Sequence, residues 1–337
     1  MKIDAGIMIS NPTDAGPAIK QLEESGYDGA YTFEGPHDPF LPLVAAAMQT
    51  HKIELITSIA VAFARNPMIL ANIGYDLNLA SRGRFILGLG SQIKPHITKR
   101  FSMPWSQPAA RMKEMVDAIK AIWDCWQDGI KLDFRGRFYT HTLMTPFFNP
   151  GPNPNGLPKI YVAAVGPLMT RAVAECADGL LGHPFNSPTY LNTVTLPIIN
   201  QGLEATGRTR DQFDLSVSVM SGIGSTEESH RKAVRACRDQ VAFYASTPNY
   251  AAVLEAHGYG PLGKELNQLS KQGRWKEMGD AIDDEMLKTF AVVEETPQAL
   301  AREITSRYGS IGQRVAPVLY SADLKLAGDV LNALKTD

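Results

Sequence analysis

The stretch Ala80-Ser81-Arg82-Gly83-Arg84-Phe85-Ile86-Leu87-Gly88-Leu89-Gly90 constrains this chain more than any other. Ile73, Leu77 and Ala80 lead into it at helical spacing, so a helix ends here. Ser81-Arg82-Gly83 breaks that helix, with Gly83 free to take a positive φ. Phe85-Ile86-Leu87 is an apolar run too short for a helix and predicts a buried strand. Gly88 and Gly90 then allow the backbone, or a flat ligand, to approach closely. A helix feeding a buried parallel strand that ends in a glycine mouth points to an α/β barrel. Active sites in such barrels gather at the C-terminal ends of the strands.

The rest of the chain repeats this alternation. Apolar runs predict strands at residues 3–9, 30–33, 53–59, 85–89, 160–164, 179–182, 213–221 and 315–320. Helical spacing falls between them, at 15–25, 41–50, from Asn66-Pro67, at 109–126, from Leu168, at 188–206, from Thr226, and from Thr296-Pro297 to Tyr308. Pro317 sits inside the last strand, where it cannot donate to a ladder. Two segments break the rhythm. Residues 128–158 carry Phe134, Phe138, Tyr139, Phe147 and Phe148 among Gly, Asn and Pro, and predict an insertion with a short hairpin. Residues 247–290 predict an irregular helical region. The fold class is α/β, a (β/α)8 TIM barrel in one domain over 1–337, with insertions after strands four and seven.

Composition narrows the function. The 337 residues carry 33 basic and 35 acidic side chains, well mixed, for a net charge of −2. No basic stripe invites nucleic acid. Cys125, Cys176 and Cys237 are odd in number and widely spaced, so neither a disulfide framework nor a metal site is expected. No signal-peptide pattern and no apolar run of membrane-spanning length appears, which predicts a cytoplasmic protein.

The predicted C-terminal strand ends hold the candidate chemistry. Strand two runs into Glu34-Gly35-Pro36-His37-Asp38: two acids and a histidine that either transfer protons or cap and stiffen a loop. Strand four continues as Ser91-Gln92-Ile93-Lys94-Pro95-His96, placing Gln92 and His96 at the same opening, or in an ordinary polar loop. Ala164-Val165-Gly166-Pro167 precedes a helix whose free N–H groups would suit an anion. His183, after strand six, completes that anion site or packs against the next helix. Arg111 and Glu114, three apart on a helix, read as a structural ion pair. No dinucleotide fingerprint, P-loop, nucleophile elbow or metal cluster is present, a pattern that fits chemistry delegated to an organic cofactor.

Several stretches, in matching order, resemble the luciferase-like monooxygenase superfamily. They include Glu23 to Gly29, Ala64-Arg65-Asn66-Pro67, Ser81 to Gly90, Arg111 to Trp123, Ala163 to Pro167, Ala177-Asp178-Gly179 and Thr296-Pro297. Ala62 to Pro67, Met103-Pro104-Trp105 and Thr145 to Pro150 resemble its branch that uses coenzyme F420, a 5-deazaflavin. The resemblance implies a non-prolyl cis peptide after strand three, matching Ser58-Ile59, and a phosphate loop at Ala164, Val165 and Gly166. The acid and histidine of deazaflavin dehydrogenases match Glu34 and Gly35, so glycine replaces a histidine and His37 lies two residues on. A glutamate some relatives carry after strand four would fall near Ile93.

The expected function is an F420-dependent oxidoreductase. It transfers a hydride between deazaflavin C5 and a small carbonyl, alcohol, enone or imine, with His37 or His96 moving the proton and Glu34 beside them. Ser58, Ile59, Gln92, Ala164, Val165, Gly166 and His183 would hold the cofactor. The alternative is a two-component monooxygenase using FMN. A catalytically silent barrel and a cofactor-free hydrolase or aldolase are further rivals. Apolar residues on helices two and three are expected to form a homodimer face. The insertion's aromatic residues point to a hydrophobic substrate.

Overall fold

A parallel sheet covered by helices buries both faces of its strands. Phe85–Gly90, buried at every position, shows this fully. The computed structural model describes residues 1–320 and 324–336. Its barrel strands are Lys2–Gly6, Gly29–Thr32, Glu54–Thr57, Phe85–Gly90, Lys159–Ala164, Gly179–Gly182, Asp214–Ile223 and Arg314–Tyr320. Neighbours pair in parallel and in chain order, and Lys2 and Ile3 close the ring on Arg314 and Val315. This is a (β/α)8 TIM barrel.

Pro317 is compatible with the eighth strand because the first strand pairs only with Arg314 and Val315, below it. The first strand stops at Gly6, short of the predicted residue 9. An additional parallel strand, Ala291–Glu294, was not foreseen. Its cause is a difference in length. The sixth strand is four residues long and pairs the seventh only over Asp214 to Val217. The seventh strand runs on for ten residues, and Ala291–Glu294 takes up the exposed edge from Met220 to Ile223.

Apolar side chains fill three regions. Ile56, Ile86, Tyr161 and Leu181 pack in one cluster with half-buried Tyr31. The main core lies between strands and helices and includes Leu87, Ile122 and Trp123. A third core, with Phe185, Met278 and Phe290, underlies the short helices of the irregular region. The N-terminal end of the barrel is plugged by charge instead. Arg314 Nε and Nη2 donate to the two carboxylate oxygens of Asp4 at 2.8 and 2.6 Å, and Arg314 also pairs with Glu54. Among the described residues no helix is long and apolar enough to cross a membrane.

The predicted hairpin exists, as Phe134–Arg135 and Thr140–His141. Arg111 and Glu114 do not pair with each other, contrary to expectation. The turn's exposed N–H groups compete for the carboxylate, and Glu114 accepts from the backbones of Arg137, Phe138 and Tyr139 at 2.6–2.9 Å. Arg111 instead donates to the Tyr139 hydroxyl and the Pro104 carbonyl. The insertion's aromatic residues diverge. Phe134 and Tyr139 pack on the core, while Phe147 and Phe148 are exposed. A 630 Å³ cavity lined by Trp126, Met144 and Pro146 lies at the C-terminal end of helix Pro108–Asp128, away from the strand ends.

Candidate active site

The third strand is interrupted where it reaches the mouth. Ile56 pairs with Ile86 and Ala60 with Leu89, four steps against three, so one residue is extra and the strand bulges. Thr57 bridges the gap: its Oγ1 donates to the Gly88 carbonyl at 2.8 Å and accepts from the Gly88 N–H at 2.9 Å. The Ser58-Ile59 peptide in the bulge is cis. A Cβ on Gly88 would collide with the Thr57 carbonyl, and one on Gly90 with the Ile59 side chain. These glycines therefore admit the neighbouring strand rather than a flat ligand.

Glu34 holds the bulge from the second strand. Its N–H donates to the Ile59 carbonyl at 3.0 Å. Its carboxylate accepts from the Val61 N–H at 2.7 Å and from Arg65 Nη1 at 2.6 Å. Arg65 Nη2 reaches Asp38 at 2.9 Å, and Asp38 in turn caps the helix at Phe40. With its side chain 6% exposed, Glu34 is committed to this network. Its geometry is that of a positioning group. Arg65's reach across two strand ends is a tertiary property that spacing does not carry.

His37 and His96 are both exposed, on the loops after strands two and four. Arg100 Nη2 donates to the Gly35 carbonyl at 2.7 Å and ties those loops together. Gln92 takes φ +57° and folds its side chain back so that Oε1 accepts from Ile93 N–H at 3.0 Å. The loop behind them is anchored by buried Ile97 and by Trp105, which stands edge-on to Phe63.

Next round the mouth, after the fifth strand, helix Pro167–Cys176 begins after Gly166 with no side-chain cap. First-turn N–H groups lack partners inside a helix, so they face outward with the positive end of the dipole. Ala164 and Val165 lead into this turn, and among the described residues nothing crowds Gly166. His183 follows Gly182, which pairs with Ala164, so it sits on the neighbouring strand end. Its Nδ1 accepts from the Phe185 N–H at 3.1 Å and its Nε2 lies 3.0 Å from the Tyr250 hydroxyl. Both ring nitrogens are thus engaged within the protein, and burial pushes its pKa down to about 4. Tyr250, Tyr244 and Tyr320 around it escaped sequence reading, because two of them lie in or beside the irregular region.

Residues 4–314 match the family model for the luciferase-like monooxygenase. The chain belongs to that family. This luciferase-like protein is 51% identical over 324 residues to an uncharacterized protein of Mycobacterium tuberculosis, covering 96% of this chain and 94% of the relative. It is 28% identical over 284 residues to a 5,10-methylenetetrahydromethanopterin reductase of Archaeoglobus fulgidus, covering 81% and 80%. Among solved structures it shares the fold of the coenzyme F420-dependent tetrahydromethanopterin reductase from Methanopyrus kandleri, with TM-score 0.79, 21% identity and coverage of 99% and 98%. An EDTA monooxygenase from Chelativorans sp. also shares it, with TM-score 0.74, 12% identity and coverage of 100% and 94%. The luciferase-like protein is an oxidoreductase.

Proposed function

We propose that the protein is an F420-dependent oxidoreductase that transfers a hydride between a deazaflavin and a small carbonyl, alcohol, enone or imine. The observation that carries this reading is the layout of the mouth. A bulge with half-buried Ser58 and Ile59 ends the third strand, and the uncapped helix start at Ala164, Val165 and Gly166 follows the fifth, two strands further round the mouth. The pair suits a long, flat cofactor with an anionic tail. The relationship to the methylenetetrahydromethanopterin reductase supports the same choice.

Ile59 and Ser58 would support the ring, Gln92 would border it, and the backbone at Ala164 to Gly166 would hold phosphate. A deazaflavin bound there supplies a hydride donor at C5. Glu34 keeps the bulge in place through Val61 and Arg65. His37 or His96 delivers a proton to the acceptor oxygen, or removes it in the reverse direction, because both rings are exposed at the mouth. Exposed Leu41, Val44, Met48 and Ile69 on helices two and three support self-association through that face, to be checked by sedimentation.

The FMN monooxygenase is the second reading, supported by the fold shared with the EDTA monooxygenase. Anaerobic turnover separates the two. With reduced F420 and a panel of carbonyls, deazaflavin absorbance should recover at a rate set by enzyme concentration. No deazaflavin oxidation, with oxygenated product formed only from reduced FMN and oxygen, would overturn the proposal.

A further inference from the structure

The mouth has two unlike walls. On the side of strands two to four, charged groups abound: Glu34, Asp38, Arg65 and Arg100 are linked to one another or to the loops. On the side of strands six to eight the groups are aromatic and uncharged. His183 stacks on Tyr250 at 4.5 Å and meets Tyr244 edge-on at 4.6 Å, above fully buried Phe185. Tyr244 and Tyr320 share a hydrogen bond. His183, Tyr244, Tyr250 and Tyr320 are all half-buried, so each keeps an accessible face. Among the described residues no lysine or arginine hydrogen-bonds to this group or stacks on it.

Hydrogen-bond logic gives the wall a direction. A backbone N–H only donates, so the Phe185 N–H requires a lone pair on His183 Nδ1. The ring is neutral, since burial pushes its pKa down to about 4, so the single proton sits on Nε2. Nε2 then donates to the Tyr250 oxygen at 3.0 Å. The Tyr250 hydroxyl proton must point elsewhere, and among the described residues no acceptor takes it. Burial also pushes Tyr250 up to about 12, which keeps that proton in place at neutral pH.

We infer that this wall is the substrate side of the mouth, that Tyr250 donates a hydrogen bond to an uncharged carbonyl or hydroxyl oxygen, and that His183 aims it. The inference rests on the oxidoreductase reading above for its substrate class. A phosphate ester is disfavoured, because an anion desolvated against neutral aromatic rings finds no compensating charge. A site that presents one fixed donor in an apolar setting selects for a ligand that accepts it.

The test uses three probes on one fluorinated ring: 4-fluoroacetophenone, 4-fluorophenyl phosphate and 1-ethyl-4-fluorobenzene. Their binding is followed by 19F line broadening with and without coenzyme F420. The ketone should bind the native protein more tightly than the phosphate ester. Tyr250→Phe should weaken the ketone about fivefold, the scale of one neutral hydrogen bond, and leave the ethyl compound unchanged. His183→Leu should weaken the ketone similarly, His183→Gln should restore it, and the Leu/Phe double variant should lose no more than either alone. Tighter phosphate binding, an unaltered ketone affinity in Tyr250→Phe, or no ketone binding would each overturn the inference. The affinity for F420 is read on the same samples. Its absence with ketone binding intact would sink the deazaflavin reading alone.

Discussion

The two ends of this barrel solve opposite problems with the same kinds of residue. At the N-terminal end, charges are buried and matched. Asp4 and Arg314 are each 2% exposed and paired bidentately, with Glu54 alongside. Burial pulls the Arg314 guanidinium down, but Asp4 and Glu54 outweigh it and raise its pKa. At the C-terminal end, histidines are exposed, a helix start is uncapped and a tyrosine proton has no described acceptor. At one end Asp4, Glu54 and Arg314 satisfy one another; at the other, the histidines, the helix start and the tyrosine proton are left open. The difference teaches where to look for function in a barrel: at the end whose polar groups are unfinished.

The sharpest way to break the comparison is at the closed end. Arg314→Met should leave Asp4 buried without its partner and cost about 3–5 kcal/mol of stability in urea unfolding. F420 affinity of the protein that remains folded should hold. Loss of cofactor binding without loss of stability would mean the two ends are not separable.

At the open end the pattern should invert. His37→Ala and His96→Ala should each keep stability within about 0.5 kcal/mol, as expected at exposed sites. The one that carries the proton should lose roughly 10²-fold or more in kcat. Equal, small losses in both would remove the histidines from the chemistry.

Glu34→Gln probes the buried charge network of the open end. It keeps the shape of the side chain while losing the charge that meets Arg65 and Val61. About 2 kcal/mol should disappear, shared between stability and F420 affinity. An unchanged F420 dissociation constant would show that the bulge holds itself.

Acid offers the gentlest contrast. His183 titrates at about 4 when folded and at its ordinary 6.5 when unfolded. Between those values the unfolded chain binds a proton the folded chain refuses, so stability should fall as pH drops from 6.5 to 4. Glu54, Asp28 and Asp214 pay for burial but are lowered further by their cationic and hydrogen-bonding partners. Their contribution is present above the ordinary carboxylate range and is lost only as pH falls through their lower folded values. The difference in thermal midpoint between wild type and His183→Gln should therefore change between pH 6.5 and 4 and stay constant above and below that window.

Much of the barrel was legible because its signals are local. Gly179–Gly182 and helix Ala15–Ser25 fall where their apolar spacing puts them, and Asn66 and Thr226 cap helices as their side chains allow. The cis bond at Ser58-Ile59 came from resemblance, not from spacing. What stayed hidden is what the closed ring brings together. Ala291–Glu294 depends on the unequal lengths of two other strands. The Glu114 turn depends on a hairpin 23 to 25 residues away. Tyr250 meets His183 across 67 residues, and no pattern in either segment announces the other.

The most direct test of the account is titration of the purified apoprotein with F420 and with FMN, followed through tryptophan fluorescence. The account predicts saturable F420 binding at about micromolar concentration, near −8 kcal/mol, with FMN at least about tenfold weaker. Tight FMN binding with none for F420 would contradict it.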